Sequence, residues 1–293
     1  RKRHGISSSF KRLPFHIDNK NRGMIENKLT DVPETMLITL WAKAEETKRA
    51  DALLHDEKAV EIIDKIEYDF SKFSKAKFSQ AGCCVRAGLI DAETKDFLNK
   101  HPDAVVVQLG AGIDARYERL QCPPVTHWYD LDLEEAIKLR RQLLSESERN
   151  TYIASSMFDY GWIDIVKSHD KPVLLIIEGV LMYFESEQIK AFFQELCARF
   201  DNATILFDML AFSLVGRSRQ HDSLRKVSKS VEFKWSLLDT KEMETWNPRI
   251  RLEKELYMSK YDHGRFPFIF RMLYKVPYFF RRYNQRVVRL RII

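Results

Sequence analysis

The stretch Ala104–Ala115, AVVVQLGAGIDA, decides how this chain folds. A short Val-rich run from Ala104 to Leu109 has the make-up of a strand buried on both faces, and it breaks at Gly110-Ala111-Gly112. Working outward, the sequence predicts further strands at Val125–Tyr129, Thr151–Ser155, Pro172–Ile177 and Ala203–Phe207, with helices at Leu133–Leu144 and Glu185–Phe200. Strands of five or six residues alternating with longer helices are the signature of βαβ units. The expected fold is therefore α/β, a Rossmann-like doubly wound, mostly parallel sheet. Upstream, helices are expected at Pro33–Ala50, Ala59–Ile66 and about Cys83–Lys100. The domain reading is a helical cap over 24–100, a cofactor-binding core over 101–212, and a C-terminal region over 213–293 that completes the sheet and covers the acceptor site.

Composition narrows the class. Apolar residues make up 45% and charged residues 31% of the 293, as in an ordinary globular chain. The longest apolar stretch, Val173–Phe184, is interrupted by Glu178, far short of the roughly 18 apolar residues of a membrane span. The four cysteines form no C-x-x-C pair or metal-ligand spacing, so reduced thiols, no metal and a cytoplasmic setting are expected. The net charge of +6 is unevenly placed. Residues 1–23 hold seven Lys/Arg against Asp18, and residues 271–293 hold seven more with no acid. The body between them is acidic, so a nucleic-acid face is not expected of it, and with no apolar run of spanning length no membrane partner is expected of the chain. Residues 1–23 precede Met24 and read as a basic extension, mobile or added to the natural chain. The basic, aromatic C-terminal strip is expected to be a solvated face.

In open α/β sheets, ligands bind at the carboxyl ends of the strands, near the switch point. The polar residues expected there are Gly110, Gly112 and Asp114 after the first strand and Asp130 and Asp132 after the second. Ser156, Met157 and Asp159 follow the third, Glu178, Gly179 and Tyr183 the fourth, and Asp208 the fifth. Glycines let a backbone approach a ligand closely, and an acid about 20 residues later can hold ribose hydroxyls. This pattern fits an adenosine ligand and leaves a nicotinamide cofactor and S-adenosylmethionine both open.

Four stretches in order break the tie: Thr35–Glu45 (TMLITLWAKAE), Val85-Arg86-Ala87 with Asp91, Val106–Arg116 (VVQLGAGIDAR) and Ile177–Tyr183 (IEGVLMY). Together they resemble the leucine carboxyl methyltransferase family, which includes polyketide-biosynthesis O-methyltransferases of the tetracenomycin type. The resemblance covers roughly residues 30–210, and more faintly His221-Asp222-Ser223 and Trp235. It implies an S-adenosylmethionine-dependent methyltransferase. Residue by residue, it puts the carboxylate-binding arginine on Arg86, the glycine turn on Gly110 and Gly112, and the ribose acid on Asp132. Many members carry Asp-Leu beside the adenine, where this chain has Ser156-Met157. Glu178, a carboxylate ending an apolar strand, is expected to pair with the charged end of the cofactor.

Methyl transfer is an in-line displacement in which positioning supplies much of the acceleration. A carboxylate acceptor needs no base, whereas a phenol benefits from one. Tyr183 and His221 are the expected catalytic residues, with His263 and Asp208 as further candidate bases. The aromatics Phe233, Trp235, Trp246, Tyr257, Tyr261, Phe266 and Phe268 suggest a pocket for a small aromatic or polyketide-like hydroxyl or carboxyl acceptor. Methylation of a protein C-terminal leucine is the alternative within the family, and a nicotinamide-dependent oxidoreductase the alternative outside it.

Overall fold

The computed structural model of the chain describes residues 25–26, 31–217, 232–262 and 264–293. Residues 1–23, His221 and His263 lie outside them. In chain order the elements are β1 (Ile25–Glu26), α1 (Asp31–Thr47), α2 (Glu57–Ile63), β2 (Ile66–Glu67), α3 (Lys77–Lys100), β3 (Val105–Leu109), α4 (Arg116–Arg119), β4 (His127–Asp132) and α5 (Glu134–Leu143). There follow β5 (Asn150–Ala154), α6 (Gly161–Lys167), β6 (Val173–Ile177), α7 (Ser186–Arg199), β7 (Ala203–Met209), β8 (Ile250–Tyr257), α8 (Phe268–Leu273), α9 (Pro277–Tyr283) and β9 (Arg286–Ile292). Seven strands form one sheet in the order β5-β4-β3-β6-β7-β9-β8. β3 to β7 run parallel, and β9 lies antiparallel between β7 and β8.

The alternation of side chains along a strand divides the core. Val105, Val107 and Leu109 of β3 pack with Trp162 of α6 and Ile189, Phe192 and Phe193 of α7. Val106 faces the other way, with Trp128, Leu174, Ile176 and Leu206, against Val85, Ile90 and Phe97 of α3. A third cluster joins α1 (Leu37, Leu40, Trp41) to Ile62, Phe73, Ile113 and Ile137, and so ties the N-terminal helices to the glycine turn.

Two departures from expectation have physical causes. α3 begins at Lys77 rather than near Cys83, and its N-cap, Ala76, has no side-chain capping bond to advertise the start. β4 begins later and runs on through Asp130 and Asp132. Asp130 sits within a central strand because Arg140 of α5 neutralises it at 2.7 Å, both side chains being wholly buried.

Candidate active site

β3 lies between β4 and β6, the switch point of the sheet. Leu109 is in register with Ile177, so Gly110 and Glu178 leave the sheet side by side. A cavity of about 960 Å³ opens there. Arg86, Gly110, Gly112, Asp132, Ser156, Met157, Glu178 and Tyr183 all line it. Asp130 does not. Its carboxylate accepts from Arg140 (2.7 Å), Asn150 Nδ2 (2.8 Å) and Trp128 Nε1 (3.1 Å), and so is committed to the core.

The glycine turn is built for close approach. Gly110 and Gly112 both have positive φ, +71° and +50°. A Cβ on Gly110 would lie 2.3 Å from Val180 Cγ2, so no larger residue fits without displacement. The helix that follows the turn is the single turn α4. Asp132 closes the other side. Its Oδ2 accepts from Gly112 N and its Oδ1 from Leu133 N, each at 2.7 Å. Burial raises its carboxyl pKa against those two bonds.

Beneath the turn lies a network of charges in which no side chain is more than 15% exposed. Arg86 Nε donates to Glu178 Oε1 at 2.9 Å, and its Nη1 donates to Asp208 Oδ2 at 3.2 Å. Arg116 bonds the other oxygen of Glu178 and also donates to Asp91 at 2.8 Å. Arg119 donates to Asp91 and Asp56, both at 2.7 Å, and to Asp114 at 2.8 Å. Lys43 of α1 bonds Asp114 and lies 3.7 Å from Asp56. Burial pushes the Glu178 carboxyl up, but Arg116 and Arg86 outweigh it and hold the pKa below the ordinary value. At Asp208 burial wins over Arg86, and the carboxyl is raised.

Glu178, expected to meet the charged end of a ligand, is thus gripped by two guanidiniums of the protein itself. Arg86, expected to grip a ligand carboxylate, holds two internal carboxylates, and its Nη2 lies 3.4 Å from where a Gly179 Cβ would stand. Lys43, Asp56, Arg116, Arg119 and Gln108 join the site with no motif of their own in the sequence to mark them. Gln108 carried the same signal as Glu178, a polar residue inside an apolar strand. Its Nε2 donates to Asp114 at 2.9 Å, and its buried Oε1 has no hydrogen-bond donor among the described residues.

Farther along the cavity, Leu131, Met157 and Phe158 give an apolar wall beside Ser156, whose Oγ accepts from Phe158 N at 3.2 Å. Burial raises the Tyr183 phenol to about 12, with Thr35 as hydrogen-bond partner. That phenol stays protonated at neutral pH and can donate a hydrogen bond. Asp208 is committed to Arg86 and to Gly179 N at 2.6 Å. His221 and His263 fall outside the described residues. Of the C-terminal aromatics, Phe233 and Phe266 line the cavity with Phe78, Phe270, Tyr274 and Tyr283. Trp235 is instead core on the far side of the sheet, with Trp246 packed against it. Among the described residues no cluster of His, Cys, Asp or Glu could hold a metal, and no helix is long and apolar enough to cross a membrane.

Comparison with known proteins gives three results. The family model for leucine carboxyl methyltransferase matches residues 36–197. The chain is 29% identical over 232 residues to the tetracenomycin polyketide synthesis O-methyltransferase of Streptomyces glaucescens, covering 79% of this chain and 84% of that one. It is 28% identical over 258 residues to an S-adenosyl-L-methionine-dependent methyltransferase of Gibberella zeae, covering 81% and 85%. Its fold resembles that of a DUF574 family protein from Streptomyces avermitilis, with a TM-score of 0.53 at 11% identity over 87% of this chain and 97% of the other.

Proposed function

The chain belongs to the leucine carboxyl methyltransferase family and is an S-adenosylmethionine-dependent methyltransferase, and on that premise we propose that it methylates oxygen on a small aromatic or polyketide-like acceptor. The observation that carries this reading is the apolar half of the cavity, walled by Phe78, Phe233, Phe266, Phe270 and Tyr274. A volume of about 960 Å³ is at the upper end of ligand pockets, roughly 300–1,000 Å³, and leaves room for an acceptor beside the cofactor. The O-methyltransferase relative of Streptomyces glaucescens supports the same class.

The residues present fit the cofactor. The glycine turn leaves a backbone wall where a Cβ would stand, and Asp132 offers a carboxylate for ribose hydroxyls. Gln108 Oε1 is an orphaned acceptor for an ammonium donor. Five carboxylates (Asp56, Asp91, Asp114, Glu178, Asp208) face four cations (Lys43, Arg86, Arg116, Arg119), an excess of one negative charge. A ligand carrying an ammonium, a sulfonium and a carboxylate has one net positive charge and balances it. Ser156 and Met157 would meet the adenine, the first as an uncharged acceptor and the second by packing.

When bound, S-adenosylmethionine supplies an electrophilic methyl group on its sulfonium. The protein's own part is placement. The ion-pair network fixes the glycine turn and Glu178, the aromatic wall excludes water from the acceptor, and the Tyr183 hydroxyl donates a hydrogen bond at the boundary between the two ligands. Such positioning is worth roughly 7–11 kcal/mol of barrier. The test is methyl transfer followed by mass spectrometry with phenols, aromatic carboxylic acids and a peptide ending in leucine. Turnover of an aromatic small molecule is the expected result. Turnover of the leucine peptide alone would replace this reading with protein carboxyl methylation.

A further inference from the structure

We propose that the outer face of α8 and α9 is a docking surface for an anionic lipid bilayer, which seats the apolar end of the cavity against the membrane. Neither helix contains a buried residue. Phe268, Ile269 and Tyr278 are 72%, 61% and 59% exposed, and Met272 and Val276 lie open beside them. Isolated exposed apolar side chains are ordinary, but a contiguous group of this kind marks a contact surface.

Charge selects the occupant. The seven basic residues after 270 divide into two groups. Those of β9, and Arg271, are paired within the protein: Arg286 with Glu255 at 2.9 Å, Arg289 with Glu253 at 2.9 Å, Asp96 at 3.0 Å and Glu93 at 3.2 Å, Arg291 with Glu253 at 3.8 Å, and Arg271 with Asp262 at 3.8 Å. Lys275, Arg281 and Arg282 form no ion pair among the described residues, and 264–283 contains no acidic residue. Arg282 lies over the Tyr278 and Phe212 rings, which keeps its charge at the rim of the apolar patch. The chain's own undescribed segments are also basic: residues 1–23 carry +6, and 218–231 carry four Lys/Arg against Asp222. A second copy docked on the same face would set cation against cation. The surface therefore calls for an anionic partner. Exposed Phe, Ile, Met and Val beneath Lys and Arg are the elements of interfacial lipid binding, whereas a nucleic acid would leave the aliphatic groups without a partner.

Position gives the surface its use. Phe270 of α8, Tyr274 at its C-terminal cap and Tyr283 of α9 line the cavity. The hairpin thus has one face on the acceptor pocket and the other open to the surroundings. An acceptor apolar enough to dissolve in lipid would reach the pocket without crossing water.

The test is co-sedimentation of the full chain with phosphatidylcholine vesicles, with and without phosphatidylglycerol, requiring no acceptor or cofactor. The proposal expects binding only to the anionic vesicles, weakened by salt. Phe268→Ser with Ile269→Ser should weaken it at least about tenfold with unchanged circular dichroism and unchanged S-adenosylmethionine affinity. Lys275→Glu with Arg281→Glu should also abolish it, so the result does not depend on one variant folding. No vesicle binding overturns the proposal. So does binding that survives the apolar pair, which would place the contact on the basic N-terminal segment. A change of oligomeric state, or oligonucleotide binding that depends on these residues without vesicle binding, would assign the face to another partner. Because the readout is vesicle binding alone, its failure leaves the acceptor reading untouched.

Discussion

Replacing Arg86 with methionine should destabilise the ligand-free protein, and by an amount that depends on pH. Arg86 is 11% exposed and bridges Glu178, 12% exposed, and Asp208, 2% exposed. Methionine keeps most of the stem volume but removes the charge. Glu178 retains Arg116, whereas Asp208 keeps the Gly179 amide but loses its guanidinium. Breaking a buried pair by deleting one partner costs about 3–5 kcal/mol, because the other charge stays buried. In a domain of this size that corresponds to a fall in Tm of roughly 6–20 °C. The Asp208 carboxyl is already raised by burial, and without Arg86 it rises further. A group whose folded pKa lies above its unfolded value contributes stability that is present below the unfolded value and is lost as pH rises through the folded one. The gap between variant and wild type should therefore be widest near about pH 7.5 and narrow toward about pH 5. Urea unfolding followed by tryptophan fluorescence at the two pH values measures it. Adding Asp208→Asn to the variant should recover part of the loss at the higher pH. Equal stability of Arg86→Met and wild type at neutral pH, or a gap unchanged between the two pH values, would refute an internal role for this arginine.

Asp132→Asn should weaken S-adenosylmethionine binding by about tenfold to more than a hundredfold by calorimetry, the loss of a charged hydrogen-bond acceptor worth about 1.5–3 kcal/mol. Asp130→Asn should instead lower Tm, since it strands Arg140 in the core. Gly110→Ala should abolish cofactor binding and destabilise the fold, because its Cβ meets Val180 and its φ is +71°; Gly161→Ala, with nothing within 4 Å of its Cβ, is the control and should be neutral or slightly stabilising in a melt. Tyr183→Phe should lower kcat without reshaping the pH profile across the neutral range, since the phenol at about 12 does not titrate there; a basic limb that vanishes in the variant would restore Tyr183 as the base.

The middle of the parallel core could be read from the sequence because β3, β6 and β7 are buried on both faces and carry their signal in consecutive residues. The C-terminal strands could not. β9, RVVRLRI, reads as part of a basic tail. It forms the strand next to the sheet edge, paired on both sides, because Glu93 and Asp96 of α3, and Glu253 and Glu255 of β8, neutralise its arginines. Neutralisation of this kind lies between 31 and 196 residues away along the chain and leaves no local pattern. β4 shows the same effect in reverse. Asp130 marks a strand end on local polarity, but its partners Arg140 and Asn150 let the strand continue past it.

The candidate site divides along the same line. Backbone features and strand-end positions were legible, since a glycine turn and an acid at the next strand end are short-range patterns. What each charge faces was not. Nothing local marks Arg86 as internally paired, because its partners Glu178 and Asp208 lie 92 and 122 residues away. Glu178 was expected to need a cationic ligand because Arg116 and Arg86 were not yet beside it. These pairs change what a substitution at the site measures. An alanine at Arg86 alters the stability of the empty protein as well as any contact with the cofactor, so a loss of affinity alone cannot assign this residue to the ligand. Gln108 is the cleaner probe. Its Oε1 has no donor among the described residues, so removing that acceptor costs the empty protein little beyond the Asp114 bond.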